Sequence, residues 1–157
     1  MIVETARAFS DALPDGGMLI GLDPGTKTVG VALCDAGWRF ATAGKTMPRG
    51  KFGALKEALA AQITQRKVAG IVIGLAKNMD GSEGPRAQAA RALARNLDAA
   101  FALPILLWDE RLSTAGAERA MIEQDMSRAR RAERIDSHAA AIILQAAIDA
   151  LSAPGLD

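Results

Sequence analysis

The sequence predicts an α/β fold in which one mixed sheet carries helices on both faces. Three observations support this prediction. Short apolar runs before position 44 are joined by tight turns, the hydrophobic spacing then becomes helical at position 51, and strand-like and helical segments alternate afterwards. Short links favour an antiparallel meander, whereas strand–helix–strand passages favour parallel pairing with right-handed crossovers. The chain has 157 residues, a normal size for one domain.

Five strands and four helices are predicted, in the order β-β-β-α-β-α-β-α-α. The first three strands form the antiparallel meander, and the other two are the parallel ones. The strands are predicted at 18–23, 29–34, 38–43, 69–74 and 104–108. The helices are predicted at 51–66, from Pro85 to Phe101, at about 113–125 and at 135–151.

A Pro-Asp-Gly-Gly sequence at 14–17 separates the beginning of the chain from the rest. Residues 2–13 are compatible with a short helix, and we interpret 1–17 as an N-terminal extension or loosely docked arm. The domain is expected at 18–151, followed by a C-terminal tail at 152–157.

The composition excludes several classes of site. Nineteen basic and eighteen acidic side chains leave a net charge of +1, so nucleic-acid binding would need a local basic patch. The single cysteine and single histidine exclude an internal disulfide and zinc sites with two histidines. No apolar run approaches the ~20 residues of a membrane span. Residues 1–17 do not resemble a signal peptide, so a cytoplasmic protein is expected.

Carboxylates occupy the ends of predicted strands. Asp23 ends the first strand, Asp109 and Glu110 end the last one, and Asp136 lies at the start of the last helix, where the helix dipole favours a negative charge. Taken alone, each is better explained as a turn or capping residue. If the first and last strands were neighbours, however, the acids would share one edge of the sheet. Such a cluster favours hard divalent cations, Mg²⁺ or Mn²⁺, and two ions about 3.5–4 Å apart would suit phosphodiester cleavage.

The turn after the first strand has features of a phosphate-binding loop. Gly25 would let the backbone approach a phosphate closely, and Thr26 and Lys27 could donate hydrogen bonds to it. A purely structural hairpin turn explains the same residues equally well.

Four arginines precede Asp136 within seven residues and form the clearest basic patch of the chain. They are Arg128, Arg130, Arg131 and Arg134. We interpret them either as a solvated loop or as a clamp on a nucleic-acid backbone.

Four linked segments closely resemble the YqgF family, whose members are described as RNase H-like pre-16S ribosomal RNA nucleases and as Holliday junction resolvase-like proteins. The segments are Gly21–Ala32, Gly74–Arg86, Asp109–Thr114 and Asp136–Gln145, and the resemblance covers 18–151. It implies an RNase H-like fold and divalent-metal cleavage of a phosphodiester in structured RNA or branched DNA.

The resemblance also implies roles for individual residues. By motif position, the catalytic metal ligands would be Asp23, Glu110 and Asp136, with Asp109 as a fallback for the second. The residues around the substrate phosphate would be Thr26, Lys27 and Arg111.

The favoured hypothesis is a Mg²⁺- or Mn²⁺-dependent nuclease that processes the 5′ end of pre-16S rRNA, acting as a monomer or weak homodimer with nucleic acid as its partner. One alternative is a Holliday junction resolvase on branched DNA. Another is a non-catalytic nucleic-acid-binding factor that depends on Arg130 and Arg131. An actin-like nucleotide binder is a third, although such proteins need two domains to enclose ATP.

Overall fold

A central sheet of seven strands organises the part of the chain that the computed structural model describes, residues 1–25, 27–113 and 128–153, without the side chains of 128–136. The strands are β1 (Ile2–Val3), β2 (Met18–Pro24), β3 (Thr28–Cys34), β4 (Ala41–Ala43), β5 (Met47–Pro48), β6 (Val68–Leu75) and β7 (Ile105–Asp109). The helices are α1 (Ala6–Ala12), α2 (Phe52–Arg66), α3 (Pro85–Phe101) and α4 (Arg128–Ser152), and a 3-10 turn spans Glu110–Leu112.

The strand order is β1-β7-β6-β2-β3-β4, and β5 pairs with the other end of β3. Strands β1, β7, β6 and β2 run parallel, whereas β3 pairs antiparallel with β2, β4 and β5. The predicted mixed α/β sheet is therefore confirmed, but the predicted count of five strands is wrong. The sequence did not reveal β1 and β5 because two residues are too few to show a period.

The helices cover both faces of the sheet. Helices α2 and α3 cover one face, where large aliphatic side chains such as Leu22, Ile73 and Leu107 are fully or almost fully buried. Helices α1 and α4 cover the other face, which includes Leu19, Val72 and Leu106. Alternation along a strand explains the division, because successive side chains point to opposite faces.

Helix α4 lies unusually close to the sheet at Gly21. A Cβ atom at this position would lie 2.8 Å from Leu144 Cβ and 3.2 Å from the Ala140 carbonyl oxygen. A real Cβ would not fit there without a shift of the helix, so glycine sets the distance between α4 and β2.

The beginning of the chain is packed into the fold, and the expectation of a loosely docked arm is wrong. Strand β1 pairs with β7, and α1 is capped by Thr5, whose side chain accepts a hydrogen bond from Ala8 N. Phe9 is completely buried, and a Cβ on Gly70 would lie 2.9 Å from its ring. The turn at 14–17 interrupts the secondary structure without detaching what precedes it.

Two other predictions change at their boundaries, and a third lies outside the described residues. The strand predicted at 38–43 is shortened to Ala41–Ala43, because Trp38 adopts a positive φ of 56° and its indole donates to the Gly17 carbonyl at 2.8 Å. The last helix begins at Arg128 rather than at 135, since arginine and alanine are good helix formers and no breaker interrupts the run. The helix predicted at about 113–125 lies almost entirely outside the described residues.

Candidate active site

Asp23 is a fully buried acid next to the carboxyl end of β2. It points to the α4 side of the sheet, because Gly21, two residues earlier, contacts that helix. Its Oδ1 atom lies 3.3 Å from Nη2 of Arg86, in the first turn of α3. A buried carboxylate at the carboxyl end of a central strand of the mixed sheet is therefore held beside a guanidinium that is partly exposed to solvent.

Glu110 reaches the same side of the sheet from the end of β7. The expectation that the first and last predicted strands are neighbours is wrong, because β6 lies between β2 and β7. Both acids nevertheless lie beside the same residue, because the strand between them carries Gly74 at this level. A Cβ on Gly74 would lie 2.9 Å from Glu110 Oε1 and 2.6 Å from Ile143 Cδ1 of α4.

The register of β2 against β6 places Asp23 beside this gap. Leu22 pairs with Ile73, so Asp23 and Gly74 follow one step further along the two strands. Neighbouring strands lie about 4.8 Å apart. Glu110 is 9% exposed. Its carboxylate occupies the space over β6 that a larger side chain at position 74 would fill, next to the strand that carries Asp23.

Asp109 has a different environment from its neighbour Glu110. It ends β7 on the α2–α3 side, at the same parity as the buried Leu107. Its carboxylate accepts hydrogen bonds from Arg111 Nη2 at 2.7 Å and from Arg111 Nε at 3.0 and 3.1 Å. The guanidinium lowers the pKa of Asp109. Asp109 therefore forms an ion pair with Arg111, and Glu110 is the one of the two acids that lies at the candidate site.

Arg111 is engaged in this ion pair and in a contact with the loop between β6 and α3. Its Nη1 atom donates to the Met79 carbonyl oxygen at 3.4 Å. The loop is also bonded to itself, since Asn78 N donates to Ser82 O and Ser82 N donates to Asp80 Oδ1, both at 2.9 Å. The contacts of Arg111 are thus those of a structural residue, and its predicted contact with a phosphate would require it to leave Asp109.

Asp136 lies inside a helix rather than at its start. Helix α4 begins at Arg128, so the interpretation of Asp136 as a residue at the helix N-terminus is wrong, and Arg128–Arg134 belong to the helix rather than to a loop. The side chains of Arg130, Arg131 and Asp136 lie outside the described residues. Their predicted roles stay predictions.

The direction of α4 nevertheless places position 136 near the end of β2. Ser137 Oγ donates to the Gly44 carbonyl oxygen at 3.1 Å, whereas Gln145 Oε1 accepts from Ala41 N at 2.8 Å. The helix therefore runs antiparallel to β4. It also runs antiparallel to β2, because two antiparallel pairings separate β2 from β4. Position 136, one turn before the Ala140 carbonyl that lies over Gly21, is thus on the Asp23 side of that contact.

The turn after β2 is a hydrogen-bonded hairpin turn. Gly25 N donates to the Thr28 carbonyl at 2.8 Å, and the Gly25 carbonyl accepts from Arg49 Nη1 at 2.9 Å. Lys27 is exposed, and Thr26 lies outside the described residues. These hydrogen bonds support the interpretation of the segment as a hairpin turn. They do not conflict with the predicted phosphate contacts of Gly25, Thr26 and Lys27, which stay predictions.

Sequence reasoning assigned no role to the two arginines that the structure brings to this edge. Arg86 could have been suspected, because Pro85 predicts a helix start at the carboxyl edge of the sheet, and Arg86 follows it directly. Arg49 follows the two-residue strand β5, which leaves no periodic signal in the sequence. Only the tertiary structure connects Arg49 to the turn at Gly25.

The donor set at this edge fits a hard divalent cation. Asp23 and Glu110 offer carboxylate oxygens on the same side of the sheet, and glycine at position 74 leaves the Glu110 carboxylate the room that a Cβ would take. Among the side chains that the structure describes, no group of three or more acidic, histidine or cysteine residues is arranged to hold a metal. A third ligand would come from Asp136, whose side chain is not among them.

Comparisons with known proteins agree on the kind of domain. The sequence model of the family described as "RuvX: Holliday junction resolvase" matches residues 17–150. A protein of Novosphingobium aromaticivorans named "Putative pre-16S rRNA nuclease" is 67% identical over 152 residues, which cover 97% of each chain. A protein of the same name from Sphingopyxis alaskensis is 61% identical over 152 residues, covering 97% of this chain and 99% of its own.

A solved structure supports the same fold at much lower sequence identity. RuvC of T. thermophilus, in complex with a Holliday junction substrate, aligns with a TM-score of 0.51 and 16% identity, covering 85% of this chain and 94% of RuvC. The similarity confirms the predicted RNase H-like architecture. In the described residues, no helix is long and apolar enough to span a membrane.

Proposed function

The chain belongs to the RuvX (YqgF) family, and we propose that it is a divalent-metal-dependent nuclease that cleaves phosphodiesters in structured nucleic acid. The substrate we propose is the 5′ end of pre-16S rRNA, in line with the names of relatives that are 61–67% identical. We further propose that the protein works in the cytoplasm as a monomer or weak homodimer.

The observation that carries the proposal is the pair of buried acids on either side of Gly74. Burying two carboxylates on one side of a sheet is unfavourable unless cations or hydrogen bonds compensate their charges. Glycine at position 74 gives the Glu110 carboxylate its room, because a Cβ there would lie 2.9 Å from Glu110 Oε1 and 2.6 Å from Ile143 Cδ1. A site kept for a cation accounts for both features.

In this proposal Asp23, Glu110 and Asp136 hold Mg²⁺ or Mn²⁺. When bound, such a pair of ions supplies an activated water and stabilises the leaving oxygen. The chain contributes the rigid edge of β2 and β7 that orients Asp23 and Glu110. Helix α4 brings position 136 to the same end of β2.

The proposed substrate contacts come from basic and small residues around this edge. Gly25, Thr26 and Lys27 would contact the phosphate from the turn after β2, and Arg130 and Arg131 would contact the backbone from α4. We propose Asp109 as a structural partner of Arg111 rather than as a fallback metal ligand, because its carboxylate is already paired on the opposite side of the sheet.

The test compares cleavage of a pre-16S rRNA fragment and of a four-way DNA junction, each with Mg²⁺, with Mn²⁺ and with EDTA. We expect Asp23→Asn and Glu110→Gln to lower the cleavage rate by on the order of 10²–10³-fold, as does the loss of one residue that stabilises a transition state. Asp109→Asn and the exposed control Glu57→Gln should stay within a few-fold of the wild type.

Each result of this cleavage test favours or refutes one of the candidate functions. Cleavage that survives in Asp23→Asn refutes the assignment of the site, and the absence of cleavage with either metal favours a non-catalytic binding factor. Preferential cleavage of the DNA junction would favour the second candidate, a junction resolvase, which the description of the family supports. The melting temperature of metal-free Asp23→Asn should equal or exceed that of the wild type, because the substitution relieves the repulsion between two buried carboxylates and gives up only a 3.3 Å contact with the partly exposed Arg86.

A further inference from the structure

A cleft of about 410 Å³ opens beside Asp23, between the turn after β2 and the first turns of α3. Its lining residues are Pro24, Gly25, Arg49, Pro85, Arg86 and Ala89. Among the described residues that line it, the two arginines are the charged side chains, and they come from different parts of the fold. The cleft is therefore a positively charged recess at the same edge of the sheet as the candidate active site.

Arg49 is held in place without a carboxylate partner among the described residues. Its guanidinium donates one hydrogen bond to the neutral Gly25 carbonyl at 2.9 Å, and its main-chain N donates to the Lys27 carbonyl at 2.9 Å. A guanidinium has five N–H donors, so this bond fixes the side chain and leaves donors for a ligand. Its charge is not balanced by any ion pair that the structure shows.

Arg86 lies between the cleft and the acid site. Its Nη2 atom is 3.3 Å from Asp23 Oδ1, and its side chain is 41% exposed. Both guanidiniums line the cleft, and only that of Arg86 also contacts the Asp23 carboxylate. The planar guanidinium suits a phosphate as well as it suits a carboxylate, so Arg86 can serve either neighbour.

We propose that the Arg49–Arg86 cleft binds a backbone phosphate of the nucleic acid, next to the phosphate that is cleaved. Arg49 is the fixed donor, and Arg86 is a shared one. Without a metal, Arg86 partners Asp23; when a cation binds Asp23, Arg86 turns to the phosphate. The inference rests on the proposed function for the position of the cleaved phosphate, but the binding of a phosphate in the cleft is measurable without cleavage.

The first test measures binding of a fluorescein-labelled pre-16S rRNA fragment in EDTA at several KCl concentrations between about 50 and 200 mM. Each lost phosphate contact should reduce the slope of log K against log salt by about 0.7–0.9. We expect this reduction for Arg49→Gln. Arg49→Lys should restore part of it, because lysine keeps the charge but not the planar fork.

The matched control is Arg95→Gln, which removes one exposed arginine from the same helix as Arg86, about 13.5 Å further along α3. The control should keep the slope of the wild type. If Arg49→Gln and Arg86→Gln change the slope no more than Arg95→Gln does, the cleft does not bind a phosphate and the proposal is overturned. Arg49 makes no contact with Asp23 among the described interactions, so its variant remains informative if Arg86→Gln does not fold.

The second test addresses the shared role of Arg86 by isothermal titration of each variant with MnCl₂ in the absence of nucleic acid. Arg86→Gln removes a cation that competes for Asp23, so its Mn²⁺ affinity should rise several-fold while its RNA affinity falls. A merely structural arginine would weaken both. Arg49→Gln should lower the RNA affinity only, and an unchanged or weaker Mn²⁺ affinity in Arg86→Gln refutes the exchange of partners.

These readouts separate the inference from the nuclease proposal. If Arg49→Gln and Arg86→Gln keep the salt slope of the wild type while the wild type cleaves normally, only the phosphate site in the cleft is refuted. A slope difference without cleavage by any metal-loaded protein would refute the nuclease and leave the phosphate site standing.

Discussion

The two faces of the sheet differ in how closely the helices approach it. On the α2–α3 face, branched and long aliphatic side chains separate the helices from the strands. On the α4 face, Gly21, Gly70 and Gly74 each lie where a Cβ would come within 3.0 Å of another group. The first arrangement buries a large apolar area, and the second brings helix side chains and main chain directly onto the strands.

This difference predicts that the α2–α3 face mainly determines stability, whereas the α4 face determines the positions of the acids at the candidate site. Removing apolar area on the α2–α3 face should cost stability and leave the positions of the acids intact. Adding volume on the α4 face should move α4 or Glu110, since neither the sheet nor the helix main chain can give way cheaply. The variants below test this division.

The largest loss of stability is expected from Leu59→Ala, a truncation in α2 on the aliphatic face. Leu59 is 1% exposed, so the cavity should lower the free energy of unfolding by about 2–5 kcal/mol. Chemical denaturation measures this loss. Cleavage well below the melting temperature should stay close to that of the wild type, and a strong loss of activity in folded Leu59→Ala would contradict the division. Leu112→Ala, at a 68% exposed leucine, is the control and should change stability little.

A smaller loss of stability with a larger loss of activity is expected from Gly74→Ala. The new Cβ would overlap Ile143 Cδ1 and the Glu110 carboxylate, so we expect a cost of about 1–3 kcal/mol and a clear fall in cleavage rate and Mn²⁺ affinity. Thermal unfolding and metal titration measure the two effects.

Two other glycines are controls for this variant. Gly21→Ala clashes with α4 but not with Glu110, so it should lose stability with a weaker effect on metal affinity. Gly53→Ala has open space around the new Cβ and lies within α2, where alanine is the better helix former. It should be neutral or stabilising. Equal metal affinities in Gly74→Ala and Gly53→Ala would show that Gly74 does not maintain the acid site.

The smallest effect is expected at Asp109, whose ion pair faces away from the acid site. Arg111 lowers the pKa of this carboxyl in the folded protein, so the pair stabilises the fold above the unfolded pKa of about 3.9. That contribution is lost as the pH falls through the lower, folded pKa. The melting temperature of the wild type should therefore drop more steeply below about pH 4 than that of Asp109→Asn. Parallel pH dependences of the two proteins would contradict the role of the pair.

Much of the fold could be predicted because its elements are long and periodic. Strands β2, β3, β6 and β7 and helices α2 and α3 lie within a few residues of their predicted positions. The two-residue strands could not be predicted, because pairing with β7 or β3 defines them and their own sequence does not. The start of α4 was missed for the opposite reason, since a charged segment that resembles a loop consists of good helix formers.

The acids of the candidate site could be proposed from the sequence, but the residues around them could not. Asp23 and Glu110 stand at strand ends, which a sequence reveals, although the choice between Asp109 and Glu110 depended on the resemblance. The structure distinguishes these two neighbours by the side of the sheet that each faces. Arg49 is separated by 24 residues from the Gly25 carbonyl that it contacts, and no local sequence pattern predicts such a contact.

The class of the fold, its alternation of strands and helices, and the acids available for metal chemistry could be inferred from the amino acids alone, because they follow from local hydrophobic period and residue type. Only the tertiary structure decided that β6 lies between the two acidic strands and that Gly74 leaves room for Glu110 above it. It also brought Arg86 to Asp23 and Arg49 to the neighbouring Gly25. Such decisions depend on strand order and close packing between distant segments, which no local stretch of the chain encodes.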